Sequence, residues 1–369
     1  MYSNDQRTVV TLDAGGTTLS FSAIRGNKII AGPIVKESNA SDLDLCITTL
    51  KSGFAEIINQ LDKDPVAISF AFPGPADYPN GIIGGFLPNF PSFRNGVALA
   101  AILEREFKIP VFINNDADLF VYGEALAGIL PETNERLKIW GSAKRYRNLI
   151  GFTWGTGFGF GFTVNGNMHI GDNSCSEVYC LPYLRNKKII VEEGVSIRAI
   201  RRVYGKLTNN PDHDLQPVDI FNIAEGNLEG NQRAAKAAFA EFGKIAGDVI
   251  ANVVTLIDGL IVVGGGITKA HKYIMPALMK VLQSKMHTLS GEELSRLQFK
   301  VYDLDNEKQF KKFAKGESCK IKVHGYNDVV TYDPQKRIGI TISKLGASKA
   351  VALGAYAFAL NEIDSERRG

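Results

Sequence analysis

A chain of 369 residues is long enough for two domains, each with its own core. With 45% hydrophobic and 22% charged residues it has an ordinary globular composition, and a net charge of +3 is too small to call for a nucleic-acid partner. The opening MYSNDQRTVV has no apolar signal-peptide core, and the most apolar run, residues 249–266, is interrupted by Asn252, Asp258 and three closing glycines, so it cannot span a membrane. Four cysteines (Cys46, Cys175, Cys180, Cys319) are too sparse for a disulfide scaffold, which fits a reducing cytoplasm.

Residues 8–30 recur, without a gap, as residues 148–170, an offset of 140. Each copy reads as an apolar strand, a Gly-rich tight turn, an alternating strand and a second turn, the pattern of a β-hairpin. The first turns are Asp13-Ala14-Gly15-Gly16-Thr17-Thr18 and Gly155-Thr156-Gly157-Phe158-Gly159. Glycines there let backbone N–H groups crowd against an anion, and Thr hydroxyls add donors. One such turn is met more often in a hairpin with no ligand. Two matching turns point to two halves that share a polyphosphate, hence to a nucleotide-dependent phosphotransferase.

Residues 43–61 carry apolar side chains at helical spacing, and 66–72 form a continuous apolar strand suited to burial in a sheet. That strand runs into Pro73-Gly74-Pro75-Ala76-Asp77, either a simple strand stop or a turn at the carboxyl edge where open α/β sheets place ligands. Residues 81–95, rich in Gly, Pro and Phe, read as an irregular loop lining a cleft, 97–107 as a helix, and 111–114 as a short buried strand. Asn114-Asn115-Asp116-Ala117-Asp118 follows at once and opens another helix. An N-cap accounts for one or two of these polar residues, not for four of five. An Asp at this kind of position can accept a proton from an attacking hydroxyl.

After the second hairpin copy, residues 191–204 have helical spacing, with Glu177 and Glu192 as acids that could grip sugar hydroxyls or merely face solvent. Residues 233–257 form a long Ala/Gly-rich helix suited to close packing, leading into 259–268, GLIVVGGGIT, a buried strand ending in Gly264-Gly265-Gly266. Such a turn can admit adenine or ribose against bare backbone, and it lacks the GxGxxG spacing of a dinucleotide site. Residues 283–343 hold a charged segment (306–315) and three short strand-like runs (320–324, 329–332, 337–342), taken together as a hairpin-type surface elaboration. Residues 345–360 form a small-residue helix that can pack back onto the first domain. The expected domains are 1–118 with 345–369, and 119–344.

Duplicated hairpins, a strand-end Asp between the halves and a late triple-Gly turn together resemble the actin/hexokinase-type ATPase fold. This is a two-domain α/β, ribonuclease H-like design with a duplicated β-sheet, here with a C-terminal β-rich insertion. Within it the chain resembles the ROK family of sugar kinases and sugar-responsive repressors. Asp13-Ala14-Gly15-Gly16-Thr17 matches the family's first phosphate motif, Pro73-Gly74-Pro75-Ala76-Asp77 its PGPxD turn, and Leu87-Pro88-Asn89-Phe90-Pro91 its sugar loop. Asn115-Asp116-Ala117-Asp118 stands at its NDAN, Gly155-Thr156-Gly157-Phe158-Gly159 at its second phosphate motif, Val263-Gly264-Gly265-Gly266 at its adenosine motif and Leu345-Gly346-Ala347-Ser348 at its final helix.

The resemblance implies an ATP- and Mg²⁺-dependent kinase acting on the 6-hydroxyl of a hexose or N-acetylhexosamine, with Asp116 as catalytic base. Gly74, Asn89, Asn115, Glu177, Cys180 and Glu192 would lie at the sugar. Asp13, Gly15, Gly16, Thr17, Thr18, Gly155, Thr156, Gly157, Gly264, Gly265 and Gly266 would hold the nucleotide, with Asp13 serving Mg²⁺ through the phosphates. Where the family carries GEIGH and a three-cysteine zinc loop, this chain has Ser176-Glu177-Val178-Tyr179-Cys180 and a short connector. Cys175 and Cys180 are too few for a structural zinc, which takes four ligands, so no zinc is expected. The family's repressors carry a DNA-binding domain ahead of this body, whereas seven residues precede the first hairpin here, so no nucleic-acid role is expected. Dimers are common in the family. The alternative is a catalytically silent sugar sensor that keeps the fold.

Overall fold

The computed structural model describes residues 2–74 and 76–366. Pro75 of the PGPxD turn and residues 367–369 of the last predicted segment lie outside the described residues. The main strands are β1 (Thr8–Ala14), β2 (Thr18–Arg25), β3 (Lys28–Glu37), β4 (Ala67–Ala71), β5 (Val111–Asn114), β6 (Leu149–Trp154), β7 (Phe158–Val164), β8 (Asn167–Met168), β9 (Leu260–Gly264), β10 (Lys300–Asp303) and β11 (Arg337–Ile342). The main helices are α1 (Leu43–Ile58), α2 (Leu99–Phe107), α3 (Asp116–Ala127), α4 (Ile197–Thr208), α5 (Gln232–Leu256), α6 (His271–Leu282), α7 (Glu307–Lys315) and α8 (Ala347–Glu366).

The repeat seen in the sequence is a repeat of sheets. One sheet has the order β3-β2-β1-β4-β5, and the other β8-β7-β6-β9-β11-β10. In each, a hairpin meander leads to strands that run parallel to its first strand: β1 pairs parallel with β4 and β4 with β5, as β6 does with β9 and β9 with β11. The copies diverge at their third strand, ten residues in β3 and two in β8. Beyond β8 the chain leaves the sheet through left-handed backbone at Gly171 (φ 76°) and Ser174 (φ 51°).

The chain divides into two compact units. The first comprises Met1–Pro131, Gly161–Ser176 and Lys344–Gly369, the second Glu132–Phe160 and Glu177–Ser343. In the first, α1 starts where the Asp42 side chain accepts from the Leu45 N–H, and its buried Phe54 meets Phe21 of β2 edge-to-face at 5.0 Å. The irregular stretch 81–95 is more deeply built in than its composition predicts. Phe90 and Phe93 are fully buried and sit 4.6 and 5.2 Å from the ring of Phe72, so the loop is anchored to the core at the end of β4.

α8 packs on β1, β4 and α3, the return to the first domain expected from its small residues. A Cβ on Gly354 would lie 2.0 Å from the Leu119 carbonyl oxygen, and one on Gly123 would lie 2.0 Å from that of Ala350, so the two helices touch backbone to backbone. The second unit uses the same device where α5 meets α6: a Cβ on Gly243 would come within 2.4 Å of the Ile274 carbonyl.

Two elements differ from the sequence reading. The predicted helix 191–204 is a 3-10 turn, Val191–Gly194, followed after the extended Ser196 (φ −157°) by α4. Gly194 packs against the Tyr183 ring, which would meet its Cβ at 2.6 Å, and the extended Ser196 separates the turn from the helix. The stretch 283–343 is only partly a surface elaboration. Its hairpins, Lys285–His287 with Glu293–Ser295 and Cys319–Lys322 with Val329–Tyr332, are exposed. β11, however, is a buried strand between β9 and β10, and the charged 306–315 segment is α7, capped by Asn306 and burying Phe310, Phe313 and Ala314.

The α3–α8 contact yields a stability prediction. Gly354→Ala drives a methyl into a backbone carbonyl that cannot rotate away, and overpacking of this kind costs about 1–3 kcal/mol or more. Urea unfolding is expected to show that loss, with the m-value unchanged.

Candidate functional site

The carboxyl edge of the first sheet gathers the polar residues that the sequence singled out. Asp13 of β1 is in register with Ala71 of β4, and Ala71 with Asn114 of β5, so three parallel strands end abreast. Beyond Asp13 the first Gly turn is closed by the Gly15 N–H donating to the Thr18 carbonyl (2.9 Å). Ser38 supports it from outside, its Oγ donating to the Gly16 carbonyl (2.6 Å) and its N–H to that of Thr17 (2.9 Å). Asp13, Thr17 and Thr18 are exposed. The Asp13 side chain makes no hydrogen bond or ion pair among the described residues.

Asn89, on the anchored loop, lies over this turn; a Cβ on Gly16 would sit 3.0 Å from that of Asn89. Gly74 is glycine for a local reason. A Cβ there would meet the Tyr78 hydroxyl at 2.5 Å, and that hydroxyl donates to the Phe72 carbonyl (2.8 Å), bracing the strand end. Tyr78 was not singled out from the sequence, where it is one aromatic beside a turn.

At the end of β5, Asn115 caps α3, its Oδ1 accepting from the Ala117 N–H at 2.7 Å. Asp116 accepts from the same N–H at 2.9 Å and keeps its side chain open to solvent. Asp118 turns inward instead; it is buried, and a Cβ on Gly161 would lie 2.8 Å from its Oδ1. The run of polar residues therefore divides by role: Asn115 as cap, Asp118 as a packed group, and Asp116 as the carboxylate left available. The Asp116 carboxyl is pushed above the ordinary Asp range, first by the protein packed around it, which thins its hydration, and further by the like charge of Asp13; the Ala117 N–H bond opposes the shift.

In the second unit the second Gly turn is closed by the Gly155 N–H on the Gly157 carbonyl (3.1 Å). Glu192 is fastened to it: Oε2 accepts from the Phe158 N–H (3.1 Å), and a Cβ on Gly157 would lie 2.9 Å from that oxygen. The other oxygen, Oε1, takes Arg198 Nη2 at 2.8 Å, while Arg198 Nη1 reaches the Thr156 carbonyl at 3.5 Å. Arg198 is a site neighbour that the sequence reading missed, because nothing in a helical run of Arg and Ala marks which cation folds back onto the turn. The 177–180 stretch reaches Glu192 through its backbone, Glu192 N–H to the Tyr179 carbonyl at 3.3 Å. Glu177 is half-buried, and Cys180 is exposed with its thiol 3.9 Å from the Glu177 carbonyl.

The triple-Gly turn adjoins the second Gly turn. Gly265 has φ 95°, and its Cβ would strike the Trp154 carbonyl at 2.3 Å, one residue before Gly155. Gly266 is exposed and a Cβ there meets nothing within 4 Å, so bare backbone faces outward at this point. Among the described residues no group of three His, Cys, Asp or Glu side chains is disposed to hold a metal ion, and no helix is long and apolar enough to cross a membrane.

Two sheets of one design, each ending in a Gly-rich turn, with a strand-end carboxylate on the first, make up the actin/hexokinase-type fold. The ROK family description matches residues 9–302, and the chain belongs to that family. It is similar over 98% of its length, and 99% of the other chain, to the crystal structure of a glucokinase from Parabacteroides distasonis, with 54% identity and a TM-score of 0.90. A ROK family glucokinase from Streptomyces griseus, in complex with glucose and AMPPNP, shares the fold at 16% identity and a TM-score of 0.60, covering 95% of this chain and 98% of that one. The Xylose repressor of Bacillus subtilis is 23% identical over 271 residues, 71% of this chain and 64% of the repressor.

Two predictions follow from the geometry. Gly266→Ala leaves stability within about 0.5 kcal/mol, as for a surface change, and weakens nucleotide binding measured by calorimetry, because its methyl fills the space above the bare backbone. Asp116 supplies a pH signature. With its folded-state pKa above the unfolded value of about 3.9, the folded chain binds more protons between the two, so stability falls as pH rises through that window. Asp116→Asn removes the penalty: thermal melts are expected to place the variant above wild type at neutral pH, with the gap closing below about pH 4.

Proposed function

We propose that the protein is an ATP-dependent sugar kinase that transfers the γ-phosphoryl group to the 6-hydroxyl of a hexose or N-acetylhexosamine. The observation that carries this reading is Asp116, an available carboxylate with an upward-shifted pKa beside the first Gly turn. Its role is general base, accepting the proton of the attacking hydroxyl; a raised pKa brings such a base closer to the operating pH, where proton acceptance is most efficient. Phosphoryl transfer needs little covalent help from the protein, and positioning with charge neutralisation does most of the work. The full-length likeness to a glucokinase supports the activity, and the glucose and AMPPNP held by the Streptomyces griseus relative support the substrate pair.

In this reading the turns around Gly15, Gly16, Thr17 and Thr18 and around Gly155, Thr156 and Gly157 present N–H and hydroxyl donors to the phosphates, and Gly264–Gly266 present bare backbone to the adenosine. Asp13 fits Mg²⁺: it is an exposed oxygen donor with no protein partner among the described residues, and its charge, which already raises Asp116, calls for a counter-ion. The ion, when bound, neutralises charge on the β- and γ-phosphates. Asn89, Asn115, Glu177 and Glu192 hold sugar hydroxyls, Cys180 takes the place of the family's His, and Gly74 gives the sugar loop room. Zinc is no part of the proposal, and neither is nucleic acid. The setting is the cytoplasm and the assembly a homodimer, read by light scattering.

The test is ADP release from Mg²⁺–ATP against glucose, mannose, fructose, allose, N-acetylglucosamine and N-acetylmannosamine, with Asp116→Asn in parallel. One sugar is expected to give turnover, and the variant to lose about 10²–10⁴-fold in kcat while still binding that sugar. Sugar binding without turnover on any acceptor would replace the kinase by a sugar sensor, a reading that the likeness to the Xylose repressor favours. Glu192→Gln separates two duties of one side chain. It keeps an acceptor for the Phe158 N–H and loses the ion pair with Arg198, so KM for the sugar is expected to rise about tenfold, the loss of one charged hydrogen bond.

A further inference from the structure

Along α4 runs a cavity of about 650 Å³, lined at one end by Arg198, the partner of Glu192, and beyond it by Arg201, Arg202, Lys206, Asn209 and His213, which the proposed reaction leaves unused. Residues spaced three and four apart share one face of a helix, so these cations form a single stripe and repel one another. Part of the charge is compensated. Arg198 pairs with Glu192 and Glu193 (2.8 and 3.2 Å), and Arg202 with Glu193 (2.7 Å). Arg201 and Lys206 have no carboxylate partner among the described residues.

The groove is also built, not merely charged. Gly205 lets the 209–213 chain close on the helix, since a Cβ there would meet the Asn210 carbonyl at 2.8 Å and the His213 ring at 3.1 Å. Arg201 Nη2 donates to the His213 carbonyl (3.3 Å), and His213 Nε2 lies 3.0 Å from the Arg201 carbonyl, an acceptor that fixes the proton on Nε2. That reciprocal clasp leaves Arg201 Nε and His213 Nδ1 both shielded from solvent and without a hydrogen-bond partner. Unsatisfied buried polar atoms are few in native proteins and ask for an explanation. Here two stand together at a cationic groove. An oxyanion answers the Arg201 Nε–H by accepting from it, with Lys206 as a further positive charge, while the His213 ring walls that side of the groove.

From Arg198 to Lys206 the stripe runs about 12 Å, at 1.5 Å of helix per residue. That length suits an anion carrying two or more phosphates rather than one. We propose that this groove is a separate binding site for a compact multi-phosphate anion, either a condensed inorganic phosphate or a sugar bisphosphate, distinct from the site for the nucleotide. Both sources present the same chemistry, and the experiment tells them apart.

The probes are inorganic tripolyphosphate and fructose 1,6-bisphosphate, each titrated into the full chain by calorimetry at low ionic strength, with and without saturating AMPPNP. At least one is expected to bind with one-to-one stoichiometry whether or not AMPPNP is present, and the better binder names the source. Lys206→Glu, a surface charge reversal, is expected to weaken that binding at least tenfold while AMPPNP affinity stays within twofold. Arg201→Met, checked for folding by circular dichroism, is expected to weaken it as well. Failure of both anions to bind, displacement by AMPPNP, or unchanged binding in Lys206→Glu would each overturn the proposal. Because anion binding is read directly, the result stands apart from whether any sugar is phosphorylated.

Discussion

The alignment of three parallel strand ends governs the first half of the molecule. With Asp13, Ala71 and Asn114 in register, the first Gly turn and the turn that carries Asp116 leave the sheet at the same edge. Neighbouring strands lie about 4.8 Å apart, so Asp13 and Asn114 stand roughly 10 Å apart with one strand between them. This geometry sets two carboxylates, Asp13 and Asp116, in electrostatic reach of each other; the raised pKa of Asp116 comes first from the protein packed around it and then from the charge of Asp13. A fold selected for stability alone has no use for that arrangement. The proposed reaction does, with one carboxylate assigned to the proton and the other to a cation.

The rest of the first unit holds that edge still. The loop with Asn89 is anchored through Phe90 and Phe93 on Phe72, Tyr78 ties back to the Phe72 carbonyl, and α8 lies directly against α3 through Gly123 and Gly354. α3 carries Asp116 at its first residue, so the backbone contact between the two helices also positions that carboxylate. The second unit repeats the sheet and uses its turn differently. There Glu192 is bound to the turn itself, with Arg198 as its counter-ion, so a residue assigned to the sugar is mechanically joined to a residue run assigned to phosphate.

Much of this was legible in the sequence. A gapless repeat at a fixed offset is seldom accidental, and it predicted the paired sheets and both Gly turns. Four polar residues in five at 114–118 exceeded what an N-cap needs, and the family resemblance singled out Asp116 among them; in the structure Asn115 is the cap, Asp118 is buried and Asp116 is exposed. Contacts that depend on distant chain were not legible. β11 is a central strand, but in sequence it follows an exposed hairpin and a charged helix, so nothing local marks its partner β9, about 75 residues earlier. The phenylalanines of 81–95 read as cleft lining because their burial depends on Phe72. Arg198 is one of several arginines in α4, and only the fold shows which of them reaches Glu192.

The measurement that tests the central claim most directly is the pH dependence of kcat/KM for the preferred sugar, in wild type and in Asp116→Asn. The account predicts a wild-type rate that falls on the acid side with a midpoint above the ordinary Asp value of about 3.9, as Asp116 takes up its proton. In the variant the residual rate is predicted to be flat across that range. An acid limb that survives unchanged in Asp116→Asn would assign the base to another group and contradict the account.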